Sequence, residues 1–453
     1  MNCWPSETCP LQLQNATQVP CRCHDDCLPE HDCSLEHHAL RAGATKTAVT
    51  GLFGLNSTLQ QVAARLPADV RSVVTLVIPL DSDADTYEEE KNEVDTNKFI
   101  TQNIDPMGLF TARYIWHEFK FDRDNVYKLP PWFEPSMTLK HAECKEYRDI
   151  QNQVALQQVA NTTQDFQAKI LALLAKFPMS YAVMYMEDAG VPLHTMHVHT
   201  EHQAVMLQAA MHDLLQHYAT LARYKRANMD LHQNNLTWQY TDQSHAAVRV
   251  RMIDFGWNSN DGSDVILSFV SCHMQRTRYW WPVHYYFFDM AVRAANSRCR
   301  PGQAIPAWKD IRDAVLAQKA KMQDIHKKFG HLFSYVQIFD MLEVCCEKTV
   351  AILYVIRHTA AEPRAKMARG VAASHRPQRE WDTEYRMALK EFQKEVYGSD
   401  DEDLYRRKFD EFSIASNLFR MLYEKRERYP VFFDSMQKKW QHVYVEPTLL
   451  AQR

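Results

Sequence analysis

Short apolar runs near the start of the chain predict a small β-sheet with one helix. The runs at residues 48–49 and 73–78 are rich in β-branched side chains, which favour extended strands. The charged stretch 86–100 spaces its apolar residues more widely, as a helix requires. Residues 101–180 carry many loop signals, with a helix predicted over 154–177. Together these elements predict a compact first lobe.

The pattern changes after residue 180. The apolar run 181–186 predicts a strand, and the turn signal Glu187-Asp188-Ala189-Gly190 ends it. Apolar positions between 204 and 223 repeat with a 3.6-residue period and predict a long helix. Two further runs, 236–240 and 248–253, predict a pair of strands joined by a polar turn.

Helical patterning dominates beyond residue 310, apart from a Pro/Arg/Ala-rich loop or linker at 361–380. Cys345 and Cys346 lie in an apolar helical stretch and are predicted to be core residues. The aromatic group at 279–288 is too apolar for a solvated face. We interpret it as packing around Asp289, with partner binding as the alternative.

The composition is that of a folded globular protein. With 453 residues, 46% of them hydrophobic, the chain can form two or three ordinary cores or one two-lobed catalytic unit. Its 56 acidic and 52 basic residues give a net charge of −4, so no strong field favours nucleic acid or an anionic membrane. The apolar run 350–356 is too short to span a bilayer, and no signal-peptide pattern opens the chain. We therefore expect a soluble protein in reducing surroundings.

Cysteine is concentrated in the first 38 residues, which show no hydrophobic periodicity. Thiolate and imidazole groups are zinc ligands, so a zinc site at this Cys/His cluster is one interpretation. The spacing lacks paired Cys-x-x-Cys knuckles, however, and we favour a flexible tail. The cysteines are Cys3, Cys9, Cys21, Cys23, Cys27 and Cys33.

The strongest chemical signal is an acidic loop followed by an Asp-Phe-Gly triplet. Asp230 and Asn235 lie five residues apart after the long helix, and Asp254 follows the strand pair. Phosphoryl transfer requires metal ions on the phosphates and a carboxylate that orients the attacking hydroxyl. Oxygen ligands of this kind suit Mg²⁺. The alternative is structural: Asp230 caps a turn, Asn235 satisfies loop backbone and Asp254 ends a strand.

The pattern Asp230-Leu231-His232-Gln233-Asn234-Asn235 with Ile253-Asp254-Phe255-Gly256 resembles the catalytic and metal-binding loops of divergent members of the protein-kinase superfamily. The resemblance implies that Asp230 is the catalytic base, and that Asn235 and Asp254 bind Mg²⁺ beside ATP. It also implies that Met186, Glu187 and Asp188 grip adenine. Two features depart from the family: Asn228-Met229 replaces His-Arg before the catalytic Asp, and no Ala-Pro-Glu follows Asp254.

The predicted third strand has no phosphate-binding lysine. The segment 43–51, with Gly43 and Lys46, resembles instead the glycine-rich loop of the with-no-lysine kinases, which supplies that lysine from the loop. By this resemblance Gly43 and Lys46 contact phosphate, and the carboxylate partner of Lys46 is Glu90 or Glu93 of the following helix. The alternative is that Lys46 is an ordinary solvated residue.

Short motifs narrow the resemblance. Residues 103–106, 186–193 and 230–235 are similar to those of the serine/threonine-kinase-like proteins of large nucleocytoplasmic DNA viruses. This family implies an α+β, two-lobed kinase fold, phosphorylation of viral or host proteins, and a location in host cytoplasm or the virion. The domains expected are a tail at 1–38, an N-lobe at 39–190, a C-lobe at 191–360, a linker at 361–380 and a helical extension at 381–453.

Three functions stay open at this point. The first is an ATP- and Mg²⁺-dependent kinase acting on Ser or Thr hydroxyls. The second is a catalytically inactive kinase-fold scaffold or virion component, which the missing third-strand lysine favours. The third is a small-molecule kinase, which would need an acidic pocket for a cationic acceptor. His194, His197 and His199 alternate as metal ligands can, but we interpret them as surface histidines.

Overall fold

The computed structural model is an α+β protein, mostly helical, with two small antiparallel sheets. It divides between Gly190 and Val191 into two compact units, which are described separately. The cysteine-rich tail, Gly43, Lys46 and the helix predicted over 154–177 lie outside the described part of the chain. The described residues are 41–42, 47–50, 56–70, 72–80, 84–120, 180–241, 244–255, 277–298, 305–359 and 376–450.

The first unit is built on a five-stranded antiparallel sheet with strand order β1-β2-β3-β5-β4. The predicted strands at 48–49, 73–78 and 181–186 and the helix at 86–100 are confirmed, whereas α1 and β4 were not predicted. The elements are β1 (Arg41–Ala42), β2 (Thr47–Thr50), α1 (Asn56–Ala63), β3 (Val73–Leu80), α2 (Ala84–Asn103), β4 (Tyr114–Lys120) and β5 (Ser180–Glu187).

Two charged residues organise the loops of this unit. Buried Asp105 accepts hydrogen bonds from the backbone N–H groups of Leu109, Phe110 and Thr111 and so closes the turn between α2 and β4. Arg113 is also buried and donates to Asp69 through both terminal nitrogens, at 3.1 and 2.8 Å. These contacts satisfy polar groups that burial would otherwise leave unpaired.

The second unit contains a small sheet and a large helical body. The sheet has the order β6-β7-β8, and the predicted strand pair at 236–240 and 248–253 forms its two longer strands. The elements are β6 (Val191–Pro192), α3 (Glu201–Arg223), β7 (Leu236–Tyr240), β8 (Val248–Met252), α4 (Val283–Arg298), α5 (Trp308–Leu316), α6 (Lys319–Phe329), α7 (Tyr335–Thr359), α8 (Arg376–Tyr397), α9 (Glu402–Leu422) and α10 (Pro430–Tyr444).

Helix α3 begins with a capping box, in which the Thr200 side chain accepts from Gln203 N and the Gln203 side chain accepts from Thr200 N. Helix α4 is buried almost throughout, because its aromatic residues pack among the other helices. Its Asp289 accepts from Arg293 and from the Tyr385 hydroxyl. The packing role predicted for this aromatic group is confirmed.

Helix α9 lies at the centre of the second unit, where it packs against α3, α8 and α10. Its residues from Phe412 to Phe419 are all buried. The helices of the predicted C-terminal extension at 381–453 lie in the same compact unit as α3 to α7. Cys345 and Cys346 of α7 are buried, as predicted.

Within the described part of the chain, we find no helix with the length and apolar character needed to cross a lipid bilayer.

Candidate active site

The loop between α3 and β7 holds Asp230 and Asn235. Asn235 is buried, and its Nδ2 donates to the backbone oxygen of Asp230 at 3.0 Å. Its own backbone N–H donates to His232 O, and its backbone oxygen accepts from Ile253 N. These hydrogen bonds fold the loop over itself and attach it to the end of β8, beside Asp254.

Asn228 joins the two acidic positions. Its Nδ2 donates to the backbone oxygen of Asp254 at 2.8 Å, and its Oδ1 accepts from the backbone N–H of Asp230 at 3.2 Å. Its Nδ2 also donates to the backbone oxygen of Ile253 at 3.4 Å, so all three partners of this amide are backbone groups, and their positions are fixed relative to one another. Asn228 is one of the two residues that depart from the kinase sequence pattern, and its side chain links the backbones of the two aspartates.

Two strained residues lie at this junction. Met229 and Asp254 have φ values of 57° and 64°, in the left-handed region that L-residues other than glycine seldom adopt. Such conformations persist only where the surroundings impose them, and they are common at active sites. Met229 is held on both sides, because its N–H donates to Asp410 at 2.9 Å and its carbonyl accepts from Trp281 Nε1 at 2.9 Å.

Asp410 anchors the loop from helix α9. It is completely buried and accepts from the backbone N–H of Asn228 at 2.7 Å, from that of Met229, and from the Tyr218 hydroxyl. Burial raises the pKa of Asp410 to about 6, while these hydrogen bonds act in the opposite direction. The carboxylate is thus retained in the core by its donors.

Three more polar residues follow Asp410 on the same side of α9, and we name the four the α9 polar face. Ser413 donates to Trp280 O, Ser416 to Tyr279 O, and Asn417 to Leu231 O at 2.7 Å. Spacings of three and four residues place side chains on one face of a helix. The face therefore holds two backbone segments at once, the loop at 228–231 and the segment 278–281. Its members are Asp410, Ser413, Ser416 and Asn417.

The carboxylate of Asp230 is held mainly at one oxygen. Its Oδ1 accepts from Arg278 Nη1 at 3.3 Å and from Trp280 Nε1 at 3.1 Å. Its Oδ2 lies 3.7 Å from His232 Nε2. Hydrogen bonds to a charged carboxylate are among the stronger ones in proteins, so these contacts fix the rotamer of a potential base.

His232 is oriented by a backbone group. Its Nδ1 lies 3.1 Å from the backbone N–H of Asn234 and must accept from it, which places the proton of the neutral ring on Nε2, facing Asp230. Burial lowers the pKa of His232; Asp254 opposes this effect, while Arg278 and His194 add to it. A neutral imidazole that donates toward the carboxylate is the state that these contacts favour.

Asn235 and Asp254 are suited to a hard cation. Because Asn235 pairs with a carbonyl, its Nδ2 is committed, and its Oδ1 is left for another partner. An amide oxygen and a carboxylate are ligands that Mg²⁺ accepts together with phosphate oxygens and water. The donor set therefore fits Mg²⁺ bound with a nucleotide.

The predicted adenine-binding residues make several contacts within the first unit. Met186 is buried, and Glu187 accepts from Arg113 Nε at 2.7 Å. The Asp188 carboxylate accepts from Ser72 Oγ and from Gly190 N, both at 2.9 Å. The side chains of Glu187 and Asp188 thus hold the local conformation of the chain at the end of β5. Contact with an adenine base would therefore be made by other groups of this segment.

The predicted phosphate-binding residues Gly43 and Lys46 are outside the described residues, as is the side chain of Glu90. The backbone of Glu90 lies in α2. Glu93 of the same helix is described and is 3% exposed. Of the two carboxylates that the sequence left open, Glu93 is therefore the one known to face the interior.

The three alternating histidines are all exposed. Among the described residues, no group of three or more His, Cys, Asp or Glu side chains is placed to hold a metal ion. Their interpretation as surface histidines agrees with this geometry. They are His194, His197 and His199.

No family model matches this chain, and no curated protein matches its sequence. Sequence reasoning missed Arg278, Trp280 and the α9 polar face. One signal was available, namely polar residues at positions 410, 413, 416 and 417 interspersed with the apolar residues at 409, 412, 414, 415, 418 and 419.

Proposed function

We propose that this chain is an ATP- and Mg²⁺-dependent phosphotransferase of the protein-kinase type that acts on Ser or Thr hydroxyls of proteins. The observation that carries the proposal is the Asn228 bridge, which holds Asp230 and Asp254 together through their backbones. Two strained residues, Met229 and Asp254, are maintained beside it. Strain of this kind, imposed by buried hydrogen bonds, is more typical of a site than of an ordinary loop.

Each residue has a defined task in the proposed reaction. Asp230 orients the acceptor hydroxyl and takes its proton as the oxygen attacks the terminal phosphorus of ATP; the bond from that phosphorus to the bridging oxygen breaks, and ADP leaves with the electron pair. Asn235 and Asp254 would hold Mg²⁺, which offsets the negative charge of the phosphates when it is bound. By the resemblance stated above, Gly43 and Lys46 would contact the phosphates, with Glu90 or Glu93 as the carboxylate partner of Lys46.

A protein acceptor is favoured over a cationic small molecule. The side chains that contact Asp230 include a guanidinium, an imidazole and an indole, namely those of Arg278, His232 and Trp280. A positively charged acceptor such as an aminoglycoside would be repelled by Arg278. The family resemblance would imply viral or host proteins as acceptors and a location of this chain in host cytoplasm or in the virion.

One observation favours a second candidate, a catalytically inactive scaffold of the same fold. The ion pair between Arg278 and Asp230 at 3.3 Å occupies an oxygen of the proposed base. In a scaffold, this pair would serve only to stabilise the loop. The two candidates differ in whether the chain transfers phosphate.

The test combines binding with transfer. Wild-type protein, Asp254→Asn and the exposed control Asp213→Asn are melted with and without Mg-ATP, and phosphate transfer from labelled ATP to a Ser/Thr peptide library is then measured. At ligand 100 times above Kd, stabilisation of about 3 kcal/mol is expected for wild type and control. Asp254→Asn should show no stabilisation by Mg-ATP. Binding without transfer would support the scaffold, and absence of both would overturn the kinase proposal.

A further inference from the structure

Asn417, at the C-terminal end of the α9 polar face, contacts both backbone segments beside Asp230. Its Nδ2 donates to Leu231 O and to Ser413 O, both at 2.7 Å. Its Oδ1 accepts from the Tyr279 hydroxyl at 3.1 Å. Because Asn417 is completely buried, water cannot replace these partners without opening the core.

Tyr279 is fixed at several points. Its carbonyl accepts from Ser416 Oγ, and its ring lies beneath the Arg420 guanidinium at 4.2 Å. Since the single hydroxyl proton of Ser416 goes to Tyr279, His331 must donate to Ser416 Oγ from Nε2, at 2.9 Å. Burial lowers the pKa of His331 to about 3, so this donor stays neutral at physiological pH.

The two segments held by Asn417 meet at the Asp230 carboxylate. Leu231 directly follows Asp230 in the chain, and Tyr279 lies between Arg278 and Trp280, which both donate to Asp230 Oδ1. The Tyr279–Asn417 hydrogen bond therefore links those two donors directly to the loop that carries the carboxylate, in addition to the bonds from Ser413 and Ser416.

We infer that Tyr279 and Asn417 are positioning residues for phosphoryl transfer, which set the orientation of the Asp230 carboxylate through Arg278 and Trp280. The inference rests on the proposed function, because it assigns the pair a task in that reaction. Neither residue contacts the acceptor or the nucleotide in this account. A misplacement of the base by about 1 Å is enough to reduce turnover up to about a hundredfold.

The test uses Tyr279→Phe, which removes only the hydroxyl, and Tyr285→Phe as the matched control. Tyr285 is also buried, at 0% exposed against 8% for Tyr279, and its hydroxyl accepts from Gln393 at 3.1 Å. We expect Tyr279→Phe to lower kcat by about tenfold with KM for Mg-ATP within about twofold of wild type. Tyr285→Phe should leave both parameters near the wild-type values.

A second measurement does not depend on activity. The indole N–H of Trp280 donates to Asp230, so its proton and nitrogen resonances report on that contact. They can be assigned by their loss in Trp280→Phe. In Tyr279→Phe these resonances should shift, whereas in Tyr285→Phe they should stay in place.

The outcomes separate the two claims. A shifted Trp280 resonance in a protein whose wild type transfers no phosphate would support the positioning geometry and reject the kinase proposal. An active wild type with equal kcat in the two variants would overturn the inference and leave the kinase proposal standing. A Trp280 resonance unchanged in Tyr279→Phe would overturn the inference in either case.

Discussion

The Asn228 side chain donates to the backbone carbonyl of Asp254 at 2.8 Å, across 26 residues of sequence. The same amide accepts from the backbone N–H of Asp230. A single buried carboxamide thus connects the proposed base to the proposed metal ligand. The amide reaches both aspartates through their backbone groups and makes no use of their carboxylates.

Removal of this amide should separate the two aspartates. Asn228→Ala removes this partner from the part-buried N–H of Asp230 and carbonyl of Asp254, which costs about 1–3 kcal/mol of unfolding free energy. We expect the stabilisation by Mg-ATP to fall as well. Asn234→Ala is the control, since Asn234 is exposed in the same loop. Equal melting and equal nucleotide response in the two variants would contradict the bridging role.

Loss of the base should affect transfer and spare binding. Asp230→Asn keeps the shape of the side chain but cannot take the hydroxyl proton, so we expect kcat to fall by about 10²–10⁴-fold. The thermal shift with Mg-ATP should persist, in contrast to Asp254→Asn. A quenched-flow measurement of transfer, made beside the binding assay, checks this. Full turnover in Asp230→Asn would mean that another group takes the proton.

Stability should depend on pH through Asp410. Its pKa is raised from 3.8 to about 6, so the folded state holds this proton more tightly than the unfolded chain does. The resulting contribution is fully present below about pH 4 and is lost as pH rises through about 6, a change of about 3 kcal/mol.

Denaturant unfolding of wild type and Asp410→Asn between pH 4 and 7.5 tests this sign. The amide variant cannot titrate at residue 410, so its stability relative to wild type should increase with pH. At every pH it should still lose part of the anchor, because its NH₂ group cannot accept from a backbone N–H. A difference independent of pH would show that Asp410 does not titrate in this range.

Gly108 should tolerate no side chain. It has a φ of 63°, and a Cβ atom there would lie 2.7 Å from Glu187 Oε2, which Arg113 holds in place. Gly398 has nearly the same φ, 65°, but open space around its Cβ position. Each alanine variant should lose about 1–2 kcal/mol of unfolding free energy, because alanine is strained at a left-handed φ. Gly108→Ala should lose about 1–3 kcal/mol more, because its Cβ clashes with Glu187. Native-state hydrogen exchange in each unit measures the difference, and equal losses would argue against a rigid Glu187.

Local patterns predicted most of the regular elements but few of their connections. The β-branched run 73–78 and the period of residues 204–223 gave correct elements because strand and helix periodicity are properties of neighbouring residues. Helix α1 and strand β4 were missed. Strand β4 mixes aromatic and charged residues without regular alternation, so its sequence carries little strand signal.

The candidate site was predictable only in part, because some of its contacts join residues that are far apart in the sequence. Asp230, Asn235 and Asp254 lie in short motifs, and the structure ties their loops together. Asp410 and Asn417 form hydrogen bonds with Asn228 and Leu231, which lie 182 and 186 residues earlier in the chain. No local sequence pattern predicts which loop a buried polar side chain will bind. The sequence alone shows that Asn228-Met229 stands where the kinase pattern has His-Arg. The structural role of Asn228 could not be predicted, because it depends on the contact with the distant carbonyl of Asp254.

The position of Asp410 late in the chain has a consequence for biosynthesis. A ribosome that has made Asp230, Asn235 and Asp254 has not yet made the carboxylate that holds the N–H groups of Asn228 and Met229, which lies 182 residues beyond Asn228. Until α9 emerges, the left-handed Met229 lacks this anchor. The nascent chain therefore carries all three motif residues well before it can arrange them, and competence for the proposed chemistry comes only after residue 410 has been made.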